Sequence, residues 1–231
     1  MDWHAWHDDY DRPDSYLTQR LAAVQQQIRL ALDTAPPGPL RVISICAGQG
    51  HDLLGVLPDH PRREDVTARL VELDPRNAAA ARATAAAAGL RQVEVVTGDA
   101  SLIARYRDLT PAQLVLVCGV FGNINDADIR RTVDHCTRLC AVGGTVVWTR
   151  HRKAPDLVPQ ICTWFEERGF DRVWLSAPDA GFGAAAHRYG GQARTTADDH
   201  PSETGADADA NANANANPSM FTFIGYDTLS R

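Results

Sequence analysis

The apolar positions of this chain follow two alternating rhythms. Short runs rich in β-branched residues occur at 42–47, 66–73, 93–96, 114–120 and 145–149. Longer stretches with apolar residues three and four apart lie before and between them. The runs predict buried strands and the spaced stretches predict amphipathic helices. The first helix is expected over 16–32, with Leu17, Leu21, Val24, Ile28 and Leu32 on one face and Asp14 or Ser15 as its cap; the Pro-Pro-Gly-Pro run at 36–39 ends it. Further helices are expected over 52–57, over the alanine-rich stretch 77–89, and over 127–139 and 157–168. Gly89 and Gly169 supply helix stops. The stretches 170–176 and 183–189 are joined by Pro-Asp-Ala-Gly and predict a closing antiparallel hairpin. Strands that alternate with helices imply a parallel sheet covered on both faces. The fully apolar run 114–120 belongs near its middle.

Two stretches break the rhythm. Residues 1–16 place Trp3, His4, Trp6, His7, Tyr10 and Tyr16 among aspartates. Aromatic rings are costly to leave in water, so a lid over a ligand is expected, with a loose terminus as the alternative. His4 and His7 share helical spacing, but no third ligand is evident, so no metal site is expected. Residues 191–218 carry an Asp/Asn–Ala alternation too small and polar to build a core; a disordered or loose loop is expected. The apolar Met220-Phe-Thr-Phe-Ile224 beyond it is expected to dock back. The chain therefore divides into a helical cap (1–38), a main domain (39–190), a low-complexity loop (191–218) and a docking tail (219–231).

Charge and cysteines narrow the partners. The formal net charge is −6, which argues against a nucleic-acid ligand. The five cysteines are odd in number and contain no Cys-x-x-Cys, as expected of buried thiols in a reducing compartment. No apolar stretch reaches membrane-spanning length and the start is not of signal-peptide type. A cytoplasmic protein with no membrane partner is expected. Oligomeric state is not legible.

The chemistry gathers at strand ends, where ligands of such sheets bind. Cys46-Ala-Gly-Gln-Gly50 ends the first strand in a tight glycine turn and opens a helix. Glu72 ends the second strand and Gly98-Asp99-Ala100 follows the third. This series resembles the class I S-adenosylmethionine (SAM)-dependent methyltransferases over roughly residues 40–190. The turn aligns with the family's glycine-rich first motif, Glu72 with the acid that takes the ribose hydroxyls, and Asp99 with the acid that accepts the adenine amino group. Ala141-Val-Gly-Gly144 resembles the family's turn into strand five. The chain departs at Ser44, where an acid is common, and at Cys46, where the family has glycine.

The resemblance implies a three-layer α/β Rossmann-like fold: a seven-stranded, mostly parallel sheet with an antiparallel last strand, plus an N-terminal helical lid. It implies SAM as cofactor, S-adenosyl-L-homocysteine (SAH) as product, and contacts from Ala47, Gly48, Gln49, Gly50, Glu72, Leu73, Gly98, Asp99, Ala100, Cys118 and Gly119. Trp6, Tyr10, Phe121, Asn123 and Arg150 are candidate acceptor-binding residues. Asn125 is a further candidate for that lining, and His151 and His7 are candidate bases. The acidic charge, and the lack of an Asn/Asp-Pro-Pro-aromatic motif after strand four, favour a small molecule methylated on O or N, as in bacterial specialised metabolism. A nucleotide-dependent oxidoreductase is the competing reading, weakened because Leu53 stands where the dinucleotide fingerprint needs a third glycine. A catalytically silent SAM-binding regulator is the other.

Overall fold

The computed structural model describes residues 15–191 and 219–224. The lid residues Trp3, His4, Trp6, His7 and Tyr10 lie outside the described residues, as does the alternating stretch 192–218. Helix α1 (Tyr16–Thr34) is capped by Ser15, whose Oγ accepts the Thr18 N–H at 3.1 Å. Strand β1 (Leu40–Ile45) runs into the glycine turn and the short helix α2 (His51–Leu54). Strand β2 (Val66–Glu72) leads to α3 (Pro75–Ala87), where Asp74 caps the helix and Pro75 takes its first position. Then come β3 (Val93–Thr97), a 3-10 segment (Ile103–Leu109) and β4 (Ala112–Val117). Helix α4 (Asp126–Leu139), strand β5 (Cys140–His151), helix α5 (Val158–Glu166) and strands β6 (Phe170–Leu175) and β7 (Phe182–Tyr189) complete the order.

The seven strands are arranged β3-β2-β1-β4-β5-β7-β6. Strands β1 to β5 pair in parallel, and β7 lies antiparallel between β5 and β6. This is the mostly parallel sheet with an antiparallel closing strand that the chain's pattern implies. One face packs on α1, α2 and α3 through residues such as Val24, Ile28, Leu54, Ala78 and Ala81. The other packs on α4 and α5 through Ile129, Val133, Ile161 and Phe165. Strand β4, central and closed off from water on both faces, needs no polar alternation.

Several boundaries differ: the helix expected over 52–57 stops at Leu54, where Gly55 caps it, and the strand expected over 114–120 spans Ala112–Val117. The expected turn at 141–144 is not a turn: β5 begins at Cys140 and passes through it, with the pairing to β4 shifting register between Ala112 and Leu114. Gly143 takes φ +80° and a Cβ on Gly144 would lie 3.0 Å from the Ala112 carbonyl oxygen. The two glycines let the chain bulge against its neighbour without leaving the sheet. No helix among the described residues is long and apolar enough to cross a membrane. The described cysteines are all free; Cys136, Cys140 and Cys162 are buried.

Candidate functional site

Three strand ends are stitched together at the carboxyl edge. The Ala47 N–H donates to the Val71 carbonyl at 3.0 Å, and the Gly98 N–H to the Glu72 carbonyl at 2.8 Å. The turn after β1 uses three left-handed residues: Cys46 at φ 54°, Gly48 at 56° and Gly50 at 77°. The cysteine thus adopts the conformation a glycine would supply, and the bend survives the substitution.

Glu72 sits inside this edge, 9% exposed. Its Oε2 accepts the Gly48 N–H and its Oε1 accepts the Asp74 N–H, each at 2.8 Å. Burial pushes its carboxyl above the ordinary glutamate range, and the two backbone donors pull back toward ionisation. Each oxygen keeps a second lone pair, so the anchored carboxylate can still take two hydroxyl donors. Asp99 is exposed, with Oδ1 accepting the Ser101 N–H at 2.8 Å. Burial first, and then the charges of Glu72 and Asp99, raise the Cys46 thiol well above its usual range. The two acids therefore bear on the same turn, and Cys46 is held neutral.

Gln49 donates from Nε2 to Asn77 Oδ1 at 3.3 Å, and Leu73 is exposed beside the acid. Ala100 is buried, so it lends the site only backbone. Gly119 has φ +76°, with open space where a Cβ would stand, and its N–H donates to Thr149 Oγ1 at 2.9 Å. Cys118 is half-buried at the end of β4.

Of the acceptor-side candidates, Phe121 needs correction. Phe121 is fully buried and packs at 5.7 Å from Trp148 and 6.5 Å from Phe165, so its ring belongs to the core. Asn123 donates from Nδ2 to the Gly119 carbonyl at 2.7 Å and so shapes the loop after β4. Asn125 caps α4 by accepting the Asp128 N–H. Arg150 donates from Nε to the Phe121 carbonyl at 3.0 Å; its Nη1 is buried without a hydrogen-bond partner among the described residues. His151 lies over Gly122, where a Cβ would come 3.1 Å from its Cδ2. Burial, then Arg150 and Lys153, lower its pKa and keep it neutral. Its Nδ1 accepts the Lys153 N–H at 3.3 Å. That bond places the ring proton on Nε2. Trp6, His7 and Tyr10 lie outside the described residues.

The site also holds a group that the sequence pattern did not mark. Asp52, in the first turn of α2, shares a hydrogen bond with Cys118 and faces Arg20 of α1; desolvation is the largest influence and raises its pKa. Arg20 is only 8% exposed on the buried face of α1, which is apolar apart from it and Gln27. An acid two residues after Gly-x-Gly, and an arginine in phase with Leu17 and Val24, were the available signals. Among the described residues no three His, Cys, Asp or Glu side chains converge as a metal site would need.

Residues 16–165 match the model of a family described as "Putative methyltransferase". Among solved structures, an O-methyltransferase family protein from Burkholderia thailandensis superimposes with a TM-score of 0.62 at 20% identity, over 82% of this chain and 60% of that one. The chain thus spans under two thirds of that relative's length. A TehB-like SAM-dependent methyltransferase from Corynebacterium glutamicum matches at TM-score 0.54 and 17% identity, covering 80% of this chain and 98% of that one. An rRNA methylase from Streptococcus thermophilus matches at 0.55 and 11%, covering 71% and 94%. No curated protein matches the sequence.

Proposed function

We propose that this chain, which belongs to the methyltransferase family matched by its residues 16–165, binds SAM and methylates an O or N atom of a small molecule. The observation that carries the reading is Glu72, a buried carboxylate whose two oxygens are fixed by the Gly48 and Asp74 N–H groups. Such a group accepts both hydroxyls of a ribose in charge-assisted bonds. Asp99, exposed one strand further out, suits an adenine amino group. The positive-φ turn at 46–50 lets a ligand approach the backbone closely. When bound, SAM supplies a methyl group on a sulfonium, open to in-line displacement by a lone pair. The chain's own residues then mainly position, since a base is needed only for an acceptor that starts protonated. In this reading His151 donates from Nε2 to the acceptor, and Arg150 offers its free N–H groups to a carboxylate.

The net charge of −6 supports a small acceptor over RNA, despite the rRNA methylase among the fold relatives. The oxidoreductase reading has no feature in its favour beyond the sheet itself. The silent-regulator reading rests on the departures at Ser44 and Cys46, and of these Cys46 keeps the bend intact. Glu72→Ala should weaken SAM binding more than tenfold by calorimetry, about the value of a charged hydrogen-bond pair. Unchanged affinity would remove Glu72 from the site. Turnover against a panel of small acceptors and a ribosomal RNA fragment tests the acceptor class; methylation of the RNA alone would overturn it.

A further inference from the structure

Asp99 has a mechanical problem that Glu72 does not. Glu72 ends an inner strand and is braced by β1 on one side and β3 on the other. Strand β3 is the edge of the sheet, so the turn at 98–101 has no strand beyond it. The turn is held on its inner side, by the Gly98 N–H on the Glu72 carbonyl and the Tyr106 hydroxyl on the Ala100 carbonyl, each at 2.8 Å; on its outer side no strand braces Asp99, and loose aim of an exposed carboxylate loses binding energy.

Residues 219–224 supply the missing neighbour. Ser219 bridges antiparallel to Leu102. The Met220 N–H donates to the Ser101 carbonyl at 2.9 Å, and Ser219 Oγ lies 2.8 Å from Ser101 Oγ. On its other side the segment is tied to the first turn of α4 and to the loop before it. The Thr222 N–H donates to Asp128 Oδ2, and the Ile224 N–H donates to the Asn123 carbonyl, both at 2.9 Å. Met220 and Phe221 are buried in the core as anchors. Ser101 is the fulcrum: its N–H holds Asp99 Oδ1 while its carbonyl and hydroxyl hold the strap.

We propose that the strap 219–224 positions the cofactor's adenine end, fixing Ser101 so that Asp99 is aimed at the exocyclic amine. The proposal rests on the SAM reading and names Ser101 and Ser219 as positioning residues. Its signature is selective. Loosening the strap should weaken ligands that carry the amine and spare ligands that lack it. A strap that merely stabilises the domain would affect both alike.

The test compares two ligands by calorimetry on the full chain: SAH, and its purine-riboside analogue without the exocyclic amine. Wild type should prefer SAH. Ser219→Ala and, from the other side of the contact, Ser101→Ala should each weaken SAH about three- to tenfold while changing the analogue less than twofold. Ser219→Thr, which keeps the hydroxyl, should restore SAH affinity. Melting curves run alongside identify any variant that has lost its fold; the two serines report independently. Equal weakening of both ligands, or of neither, overturns the proposal. So does a wild type that binds the two equally, which leaves the SAM reading standing. A wild type that binds neither ligand removes the SAM reading itself.

Discussion

Cys46 shows how one residue can break a local rule without breaking the site. A non-glycine residue in the left-handed region costs roughly 1–2 kcal/mol. Glycine would remove that strain, but it would also add unfolded-state freedom worth about 0.5–1 kcal/mol and forfeit the packing of a thiol against the core. The two sides nearly cancel. Cys46→Gly is therefore expected to change stability by less than about 1 kcal/mol, whereas Cys46→Val, β-branched at φ 54°, should lose about 2 kcal/mol or more. Urea titrations of the two variants check this, and a valine variant as stable as the glycine one would show the turn to be slack. The thiol itself stays protonated, since burial and two nearby acids raise its pKa.

At the scale of elements, much was legible, because period and punctuation agree. The helix over Tyr16–Thr34 and the hairpin of β6 and β7 follow from spacing alone. So does the order of strand ends that brings the glycine turn, Glu72 and Asp99 to one edge. What was not legible depended on partners distant in sequence. Phe121 reads as a lining residue until Trp148 and Phe165 are seen around it. Arg20 and Asp52 carry no mark in the sequence pattern and come together only where α1 lies against α2. Ala141-Val-Gly-Gly144 carries every mark of a turn, yet the β4 backbone holds it in the sheet as a bulge. That bulge is testable. A Cβ on Gly144 would meet the Ala141 carbonyl oxygen at 2.9 Å and the Ala112 carbonyl oxygen at 3.0 Å, both backbone atoms that cannot step aside. Gly144→Ala should cost about 1–3 kcal/mol, a drop of roughly 2–10 °C in Tm. Gly143→Asn, which tolerates positive φ and meets nothing within 4 Å, should cost distinctly less. Equal losses would place the strain in the backbone rather than in the contact.

For the molecule as a whole, the two faces of the sheet differ in kind. The face under α1 to α3 is aliphatic and alanine-rich. The face under α4 and α5 stacks Trp148, Phe165 and His187, with ring centroids 4.8 Å apart for Phe165 and His187 and 6.1 Å for Trp148 and Phe165. His187 is fully buried there, its Nδ1 accepting the Trp148 Nε1–H at 3.1 Å and its Nε2 without a partner among the described residues. Burial, with Arg172 adding to it, lowers its pKa to about 3. In the unfolded chain the same imidazole titrates near 6.5, as roughly expected of an exposed histidine. As pH falls below that value the unfolded state takes up the proton first, so stability is whole above about 6.5 and drains away as pH falls toward about 3. At pH 5 the loss amounts to about 2 kcal/mol from this one group. His187→Gln keeps an acceptor for the indole and removes the titration. It should be less stable than wild type at pH 7.5 because the ring packing is lost, yet its stability should fall by about 2 kcal/mol less between pH 7.5 and pH 5. Urea unfolding at the two pH values reads both numbers. If wild type and variant lose stability in parallel, the acid sensitivity lies elsewhere and the stacked imidazole is an inert part of the core.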